Sequence, residues 1–189
     1  MEKNLFFSNP MKKNIIILGS NGMLGQMVKV FFTIKNFNVE IYDKRFSTEN
    51  LLSYIQQLNN FDDSIIINCI GKIWQKTDNA SELLFSNSIL PLELSRKLKK
   101  SHILIHPSTD CVFNGITENP YYSFDSHSAT DIYGISKSLG ETALLSRCNT
   151  LIIRVSIIGP DLFSDKGLFS WFLNTKSGTN LNGYINHYW

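Results

Sequence analysis

Cysteine is scarce in this chain, which contains only Cys69, Cys111 and Cys148 among its 189 residues. No two of them have CxxC spacing, and three scattered cysteines argue against a disulfide scaffold and against a zinc site. Histidine also lacks a ligand pattern, because His102 and His106 lie on a predicted strand, where four residues span roughly 13 Å. We therefore expect no metal, and the cysteine content indicates a reducing compartment, the cytoplasm.

Long hydrophobic runs and an excess of one charge are absent as well. No stretch reaches the ~18 apolar residues of a membrane span, and residues 5–7 are too short for the apolar part of a signal peptide. The chain has 18 Lys and Arg against 16 Asp and Glu, without a basic stripe. We therefore expect neither a membrane nor a nucleic acid as partner, and 43% hydrophobic residues suit an ordinary globular domain.

Short, continuous apolar runs alternate with segments of helical periodicity. The predicted strands cover residues 15–18, 39–42, 65–68, 103–105 and 151–155. The predicted helices cover residues 22–35, 50–58, 81–100 with a break near Pro91, and 133–146. This alternation predicts an α/β fold, a doubly wound parallel Rossmann sheet with helices on both faces. Ligands of such sheets bind beyond the carboxyl ends of the strands, and the polar residues 114–131 read as a loop over that site.

A glycine-rich turn with the spacing GxxGxxG covers residues 19–25, between the first predicted strand and the first helix. Glycine permits a tight turn, a close approach of the backbone to a pyrophosphate and close packing of helix on strand. The free N–H groups at the helix start favour phosphate. The residues that we expect to contact a dinucleotide here are Gly19, Asn21, Gly22, Met23, Leu24 and Gly25.

The end of the second predicted strand carries conflicting signals about the dinucleotide. Asp43 has the position of an acid that binds the adenosine ribose 2′-hydroxyl of NAD. Lys44 and Arg45 follow it directly and could instead bind the 2′-phosphate of NADP. The residues therefore leave the choice between NADH and NADPH open.

A second constellation predicts proton transfer. Tyr133 and Lys137 are four residues apart on one predicted helix, so their side chains share a face. The tyrosine hydroxyl has a free pKa near ~10, and a neighbouring ammonium lowers it. Proton transfer to a carbonyl oxygen then accompanies hydride delivery from a nicotinamide. Ser108 and Thr109, just beyond the fourth strand, supply a hydroxyl at the same end of the sheet.

Two stretches of the sequence resemble the signature of one family. Residues 108–115 read STDCVFNG and residues 131–141 read DIYGISKSLGE. Both resemble the dTDP-4-dehydrorhamnose reductases, which are extended short-chain dehydrogenases/reductases, and residues 11–24 resemble the opening of these enzymes. The resemblance implies reduction of a 4-keto sugar nucleotide by NADPH or NADH, in nucleotide-sugar and surface-polysaccharide biosynthesis.

The resemblance also implies roles by position. Thr109 would orient the keto group, Tyr133 would donate the proton, and Lys137 would lower the pKa of Tyr133 and hold the nicotinamide ribose. The residues that would line the cofactor after the third strand are Cys69, Ile70 and Gly71. Related dehydratases carry a glutamate where Cys111 stands, which favours a reductase over an epimerase or dehydratase.

The resemblance covers residues 11–189, and the family continues further. We therefore expect residues 1–10 to be a flexible extension, residues 11–160 to be the NAD(P)-binding domain, and residues 161–189 to begin a truncated substrate-binding region. Truncation keeps a second hypothesis open, a non-enzymatic dinucleotide-binding subunit, although such a protein need not retain Tyr133 and Lys137. The sequence leaves homo-oligomerisation and the identity of the sugar nucleotide open.

Overall fold

A computed structural model describes residues 13–74, 77–117, 119–160 and 168–180. Its strands are β1 (Ile15–Leu18), β2 (Val39–Tyr42), β3 (Ile65–Asn68), β4 (Ile103–Ser108) and β5 (Thr150–Arg154). They form one parallel sheet in the order β2-β1-β3-β4-β5. The chain changes direction across the sheet between β1 and β3, and the crevice at such a switch point is where doubly wound sheets bind ligands.

The helices of the described residues follow the predicted positions closely. They are α1 (Met23–Ile34), α2 (Leu51–Leu58), α3 (Ala80–Leu84), α4 (Leu90–Lys97), α5 (Ile132–Leu144) and α6 (Leu168–Asn174). A 3-10 turn, Asp110–Val112, follows β4. None of these helices has the length and apolar character needed to cross a membrane. The described part of residues 114–131 before α5 is a loop, as the sequence predicts.

The predicted break near Pro91 takes the form of a π-helical segment, Phe85–Ile89, between α3 and α4. A proline inside a helix lacks the N–H donor and its ring clashes with the carbonyl four residues earlier, here that of Asn87. The wider π turn accommodates that carbonyl, which points at Gly140 of α5, where a Cβ would stand only 2.1 Å from it. Local backbone chemistry thus determines how closely α5 packs on this helix.

The doubly wound prediction is confirmed, but the two faces of the sheet are covered unequally. On the main face α2, α4 and α5 bury a core. Its buried strand residues are Ile16, Leu18, Tyr42, Ile66 and Leu104. On the opposite face α1 packs over β1 and β2 around Ile15 and Ile17. From β3 to β5 the chain moves across the sheet in one direction, each strand lying beside the one before it. Successive right-handed crossovers in the same direction place their helices on the same face of the sheet. The connections from β3 to β5 therefore all lie on the main face.

The β5 end of the second face is correspondingly open. Leu151 and Ile153 lie beside residues 105 and 107 of β4, and their exposed fractions are 52% and 39%. Within the described ranges no helix covers them. A further helix, α6, begins at Leu168, and its Trp171 and Phe172 are 52% and 60% exposed.

The predicted division into domains stays a prediction. The extension over residues 1–10 lies outside the described residues, as does most of the segment 161–189.

Candidate active site

The glycine-rich turn joins β1 to α1 at the switch point of the sheet. Gly19 has a φ angle of +75°, a backbone conformation that residues with a Cβ rarely adopt. A Cβ at this position would also stand only 2.8 Å from Ile70 Cγ1. A Cβ on Gly25 would stand 2.2 Å from the Gly19 carbonyl oxygen, so α1 can approach β1 this closely only with glycine. Gly22 begins α1 without a side-chain cap. The first N–H groups of the helix therefore have no side-chain cap at Gly22, and their role in binding a phosphate stays a prediction.

Asp43, at the end of β2, is tied to this turn. Its Oδ1 accepts a hydrogen bond from the Ser20 N–H at 2.9 Å. Its Oδ2 accepts from the Ser20 hydroxyl at 2.5 Å and from the Asn21 amide at 3.1 Å. The carboxylate thus fastens the turn to β2, a contact that the sequence did not predict. The ribose role of Asp43 stays a prediction.

A cleft of about 490 Å³ opens at the carboxyl ends of β1, β2 and β3. The predicted cofactor residues that line it are Gly19, Asn21, Asp43, Lys44, Arg45, Ile70 and Gly71. The sequence did not single out the other lining residues, Tyr42, Phe46, Lys72, Glu82, Phe85 and Ser86. The last four follow β3 or lie on the α3 region, so only the parallel pairing of β1 with β3 brings them here.

The remaining predicted cofactor residues do not line this cleft. Gly22, Met23, Leu24 and Gly25 belong to the start of α1. The Cys69 side chain packs against the core of the second face, and burial raises the pKa of its thiol to about 12. The structure therefore leaves Cys69 only its backbone for a ligand.

Three cations border the cleft, and their surroundings differ. Lys44 donates to Gln57 Oε1 at 2.5 Å and lies 5.5 Å from the centre of the Tyr42 ring. Lys72 forms an exposed ion pair with Glu82 at 2.6 Å. Arg45 has no side-chain hydrogen bond or ion pair with the described part of the chain. Of these three cations, Arg45 is therefore the one that an anionic ligand could engage without displacing a partner from the described residues.

The second predicted constellation lies where β4 ends and α5 begins. Thr109 is buried and accepts a hydrogen bond from the Cys111 N–H at 3.2 Å. The Asp131 carboxylate caps α5 by accepting from the N–H groups of Tyr133 and Gly134, both at 3.0 Å. The Thr109 hydroxyl donates to Asp110 Oδ1 at 3.2 Å, and the Thr109 side chain lies close enough to Tyr133 to lower the pKa of its hydroxyl. The structure thus brings together the hydroxyls that the sequence placed at the same end of the sheet.

Lys137 lies one turn beyond Tyr133 and is only 6% exposed. Its ammonium donates to the Pro107 carbonyl oxygen at 2.9 Å. Burial lowers the pKa of Lys137 to about 8, and the negative charge of Glu141 opposes that lowering. The lysine therefore carries its proton at neutral pH and loses it in the mildly alkaline range.

The pKa of Tyr133 moves opposite to our expectation. Burial raises the pKa, and the interaction with the Thr109 side chain only partly offsets this rise. The expected lowering by Lys137 is therefore wrong for this structure, since the desolvation of the tyrosine outweighs its favourable interactions. A half-buried phenol with a raised pKa is neutral at neutral pH and can therefore donate a proton.

Asn87 of the π-helical segment is a site residue that sequence reasoning missed. Its amide donates to the Lys72 carbonyl at 2.9 Å and to the Ser136 hydroxyl at 3.0 Å, and its Oδ1 accepts from the Lys72 N–H at 2.9 Å. Ser136 lies between Tyr133 and Lys137 on α5. Asn87 therefore connects the wall of the cleft to the helix that carries the reacting groups. The sequence feature that could have pointed to Asn87 is its position four residues before Pro91, where the helix is expected to be irregular.

His106 of β4 is a buried neutral histidine. Its Nδ1 lies 3.2 Å from the Asn68 amide nitrogen, so we assign Nδ1 as the acceptor. Burial lowers the pKa of His106 to about 3, and the nearby Lys137 contributes. Asn68 in turn accepts from the Ile70 N–H at 3.3 Å. This pair shapes the turn after β3 that lines the cleft.

Comparisons with known proteins identify the family and the fold. A family model described as "RmlD substrate binding domain" matches residues 11–169. No curated protein matches the sequence.

Two of the solved structures that this chain is similar to are dTDP-4-dehydrorhamnose reductases. The enzyme from Bacillus anthracis, in complex with NADP, is 28% identical with a TM-score of 0.67, over 78% of this chain and 54% of that one. The enzyme from Yersinia enterocolitica is 26% identical with a TM-score of 0.62, over 76% of this chain and 52% of that one.

A more distant match shows the fold alone. The Bordetella bronchiseptica enzyme WbmG, in complex with NAD and UDP, is 16% identical with a TM-score of 0.66, over 78% of this chain and 55% of its own. The chain spans about half the length of these solved structures.

Proposed function

The chain belongs to the RmlD substrate binding domain family, and on that premise we propose that it is the cofactor-binding part of a nucleotide-sugar reductase. The reaction is the reduction of a 4-keto sugar nucleotide, of which dTDP-4-dehydrorhamnose is the first candidate. It belongs to nucleotide-sugar biosynthesis for surface polysaccharide, and we place it in the cytoplasm.

The observation that carries this proposal is the joint position of Thr109, Tyr133 and Lys137. Thr109 directly follows β4, and its side chain lies close enough to Tyr133 in the first turn of α5 to affect the pKa of that hydroxyl; Lys137 lies one helical turn further along α5. A pure dinucleotide binder has no use for a half-buried phenol beside a buried ammonium at this point. Burying Lys137 costs free energy, and a reducing centre gives a reason for that cost.

The residues of the site fit a nicotinamide dinucleotide. The glycine-rich turn and the uncapped start of α1 would hold the pyrophosphate, and the cleft beside Asp43 and Arg45 would hold the adenosine end. Lys137 would hold the nicotinamide ribose. When bound, the cofactor supplies a hydride to the keto carbon.

The chain's own groups would supply the proton. Thr109 orients the keto oxygen by donating a hydrogen bond, and the Tyr133 hydroxyl gives its proton to the same oxygen, leaving a phenolate. The Lys137 ammonium stabilises that phenolate by its charge. The raised pKa of Tyr133 suits the acid role, because it keeps the phenol protonated until the substrate oxygen gains negative charge.

We further propose NADPH as the preferred donor. Arg45 lines the cleft with its guanidinium unengaged within the described residues, whereas the Asp43 oxygens already accept from Ser20 and Asn21. A guanidinium is suited to bidentate binding of a 2′-phosphate. NADH is the alternative that the Asp43 position favours.

The hypothesis of an epimerase or dehydratase has less support than that of a reductase. Such enzymes need a further acid or base beside the Thr-Asp pair, and Cys111 occupies that position. Its pKa is raised, chiefly by burial, so the thiol stays protonated at neutral pH. A neutral thiol is a poor substitute for a carboxylate in proton abstraction.

The test follows NADPH absorbance with dTDP-4-dehydrorhamnose as substrate. We expect turnover by the chain as it exists, and loss of turnover in Tyr133→Phe with an unchanged dissociation constant for NADPH. NADPH binding without turnover in the unmodified chain would support the non-enzymatic binding subunit instead. A Tyr133→Phe variant that keeps its rate would refute the assignment of the proton donor.

A further inference from the structure

Glu141 is a buried carboxylate to which the proposed mechanism gives no role. It lies on α5 one turn beyond Lys137 and is 2% exposed. Its partner is Arg154, the last residue of β5. The Arg154 Nε donates to both carboxylate oxygens at 3.1 Å, and Nη2 donates to Oε2 at 2.8 Å. A buried pair with this fork geometry is costly to break from one side only.

Arg154 also reaches the loop between β4 and α5. Its Nη1 donates to the Ser123 carbonyl at 3.1 Å, and its guanidinium lies 5.0 Å from the centre of the Phe113 ring. Its Nη2 lies 2.7 Å from Nε2 of His127. Because arginine can only donate, His127 Nε2 accepts, and its Nδ1 then donates to Ser138 of α5 at 2.7 Å. One guanidinium thus contacts both ends of the loop.

We propose that Glu141, Arg154 and His127 form one positioning cluster that joins the β4–α5 loop to Lys137. The proposal rests on the function proposed above, because positioning Lys137 matters only if Lys137 takes part in the reaction. The cluster touches neither cofactor nor substrate. It acts through Lys137 and through the loop that begins at Phe113, four residues beyond Thr109.

The link to Lys137 is electrostatic. The charged or titratable groups that face Lys137 are Tyr133 and Glu141 on its own helix and His106 on β4. Tyr133 and His106 are neutral at neutral pH, so Glu141 supplies the negative charge that helps keep the lysine protonated. Removing that charge makes the ammonium harder to maintain in its buried position.

The link to the loop is mechanical. Phe113 stacks on Tyr121 with ring centres 4.2 Å apart and meets His127 edge-on at 5.9 Å. Arg154 lies over the same Phe113 ring, so Glu141 holds the loop through the arginine it orients. Without the carboxylate, Arg154 has no charged partner among the described residues and the loop loses its anchor.

The experiment compares Glu141→Gln with Glu93→Gln. Glu93 is a matched control because its carboxylate also pairs with an arginine, Arg96, at 2.9 Å, but on the surface of α4. Two readouts use no substrate. Nuclear magnetic resonance of 13C-labelled lysine measures the pKa of Lys137, with its signal assigned from Lys137→Met. Amide hydrogen exchange of residues 113–128 reports the loop.

In Glu141→Gln we expect the pKa of Lys137 to fall by about 1 unit and loop exchange to accelerate at least several-fold. In Glu93→Gln we expect neither change. Glutamine keeps the size of glutamate, so a purely structural role would leave the lysine pKa where it is. Equal results for the two variants would overturn the proposal.

A second variant decides the matter if Glu141→Gln does not melt cooperatively. His127→Asn leaves the Glu141–Arg154 pair intact, so we expect faster loop exchange with the pKa of Lys137 unchanged. Unaltered loop exchange in His127→Asn would overturn the proposal. If both readouts behave as expected but the unmodified chain reduces no 4-keto sugar nucleotide, the cluster stands and the proposed function fails.

Discussion

The two halves of the candidate site are constructed differently. The nucleotide cleft at β1, β2 and β3 is lined by backbone, by glycines and by exposed cations such as Arg45. The reacting end at β4 and α5 consists of side chains that are almost wholly buried, including Thr109, Lys137 and Glu141. Backbone contacts bind a ligand tightly but are insensitive to most side-chain changes. Buried charged side chains affect chemistry and are costly to alter.

This difference predicts different kinds of defect. Changes in the cleft should alter the affinity for the dinucleotide and leave the turnover of bound substrate nearly intact. Changes at the reacting end should alter turnover and leave the affinity for the adenosine half of the cofactor nearly intact.

The largest expected effect is at Lys137. Lys137→Met keeps the length of the buried side chain but removes the charge that stabilises the Tyr133 phenolate. We expect kcat to fall roughly 100- to 10,000-fold. Steady-state kinetics with the exposed Lys97→Met as control measures this. A loss of less than tenfold would remove Lys137 from the reacting centre.

The next effect separates two glycines of the glycine-rich turn, Gly22 and Gly25. A Cβ on Gly25 would stand 2.2 Å from the Gly19 carbonyl, whereas a Cβ on Gly22 meets no protein atom closer than 3.6 Å. Gly25→Ala should lower stability by about 1–3 kcal/mol through overpacking. Gly22→Ala should keep the melting temperature and weaken NADPH binding, because its methyl group lies where the backbone approaches the pyrophosphate. Melting curves measure the stability of the two variants, and titrations measure their affinity for NADPH. Equal losses of stability in Gly25→Ala and Gly22→Ala would contradict the different roles assigned to the two glycines.

A smaller effect concerns the choice of dinucleotide. Arg45→Gln should weaken NADPH binding by roughly tenfold, the value of one charged hydrogen bond, and leave NADH binding unchanged. Lys44→Gln should do less, because the Lys44 ammonium is already bound to Gln57 at 2.5 Å. Fluorescence titration with both cofactors checks this. Equal weakening of NADPH and NADH by Arg45→Gln would favour a general electrostatic role instead.

The smallest effect is a pH dependence of stability. Burial lowers the pKa of Lys137 from 10.5 to about 8, so above pH 8 the unfolded chain binds more protons at this lysine than the folded chain. The contribution of Lys137 to the free energy of unfolding therefore rises with pH in that range, by about 1 kcal/mol per pH unit. Denaturant titrations of the unmodified chain should show this rise relative to Lys137→Met. Parallel pH profiles would mean that Lys137 is not buried as described.

Most of the fold was predictable because its signals are local. The continuous apolar runs over residues 15–18 and 65–67 lie in strands whose two faces are both covered, and such a run is recognisable without knowledge of distant residues. The unequal covering of the two faces was not predictable from these runs. Leu151 and Ile153 look like core residues in the sequence, and among the described residues the direction of the crossovers leaves them without a covering helix.

The candidate site divides in the same way. Its glycine turn and its tyrosine–lysine pair are sequence-local motifs, and the structure places Gly19 and Asn21 in the cleft and Tyr133 beside Thr109. Asn87 was missed because its partners are 15 and 49 residues away in the chain. No local pattern reports a contact between elements so far apart.

The sequence by itself determined the types and order of the elements, and the residue kinds available for phosphate binding and proton transfer. These properties follow from periodicity, from the backbone freedom of glycine and from spacing on one helix. The tertiary structure alone decided the balance of charges at the reacting end. Burial sets the pKa of Tyr133 above and that of Lys137 below their ordinary values. Desolvation depends on every element packed around a group, and one stretch of sequence does not contain that information.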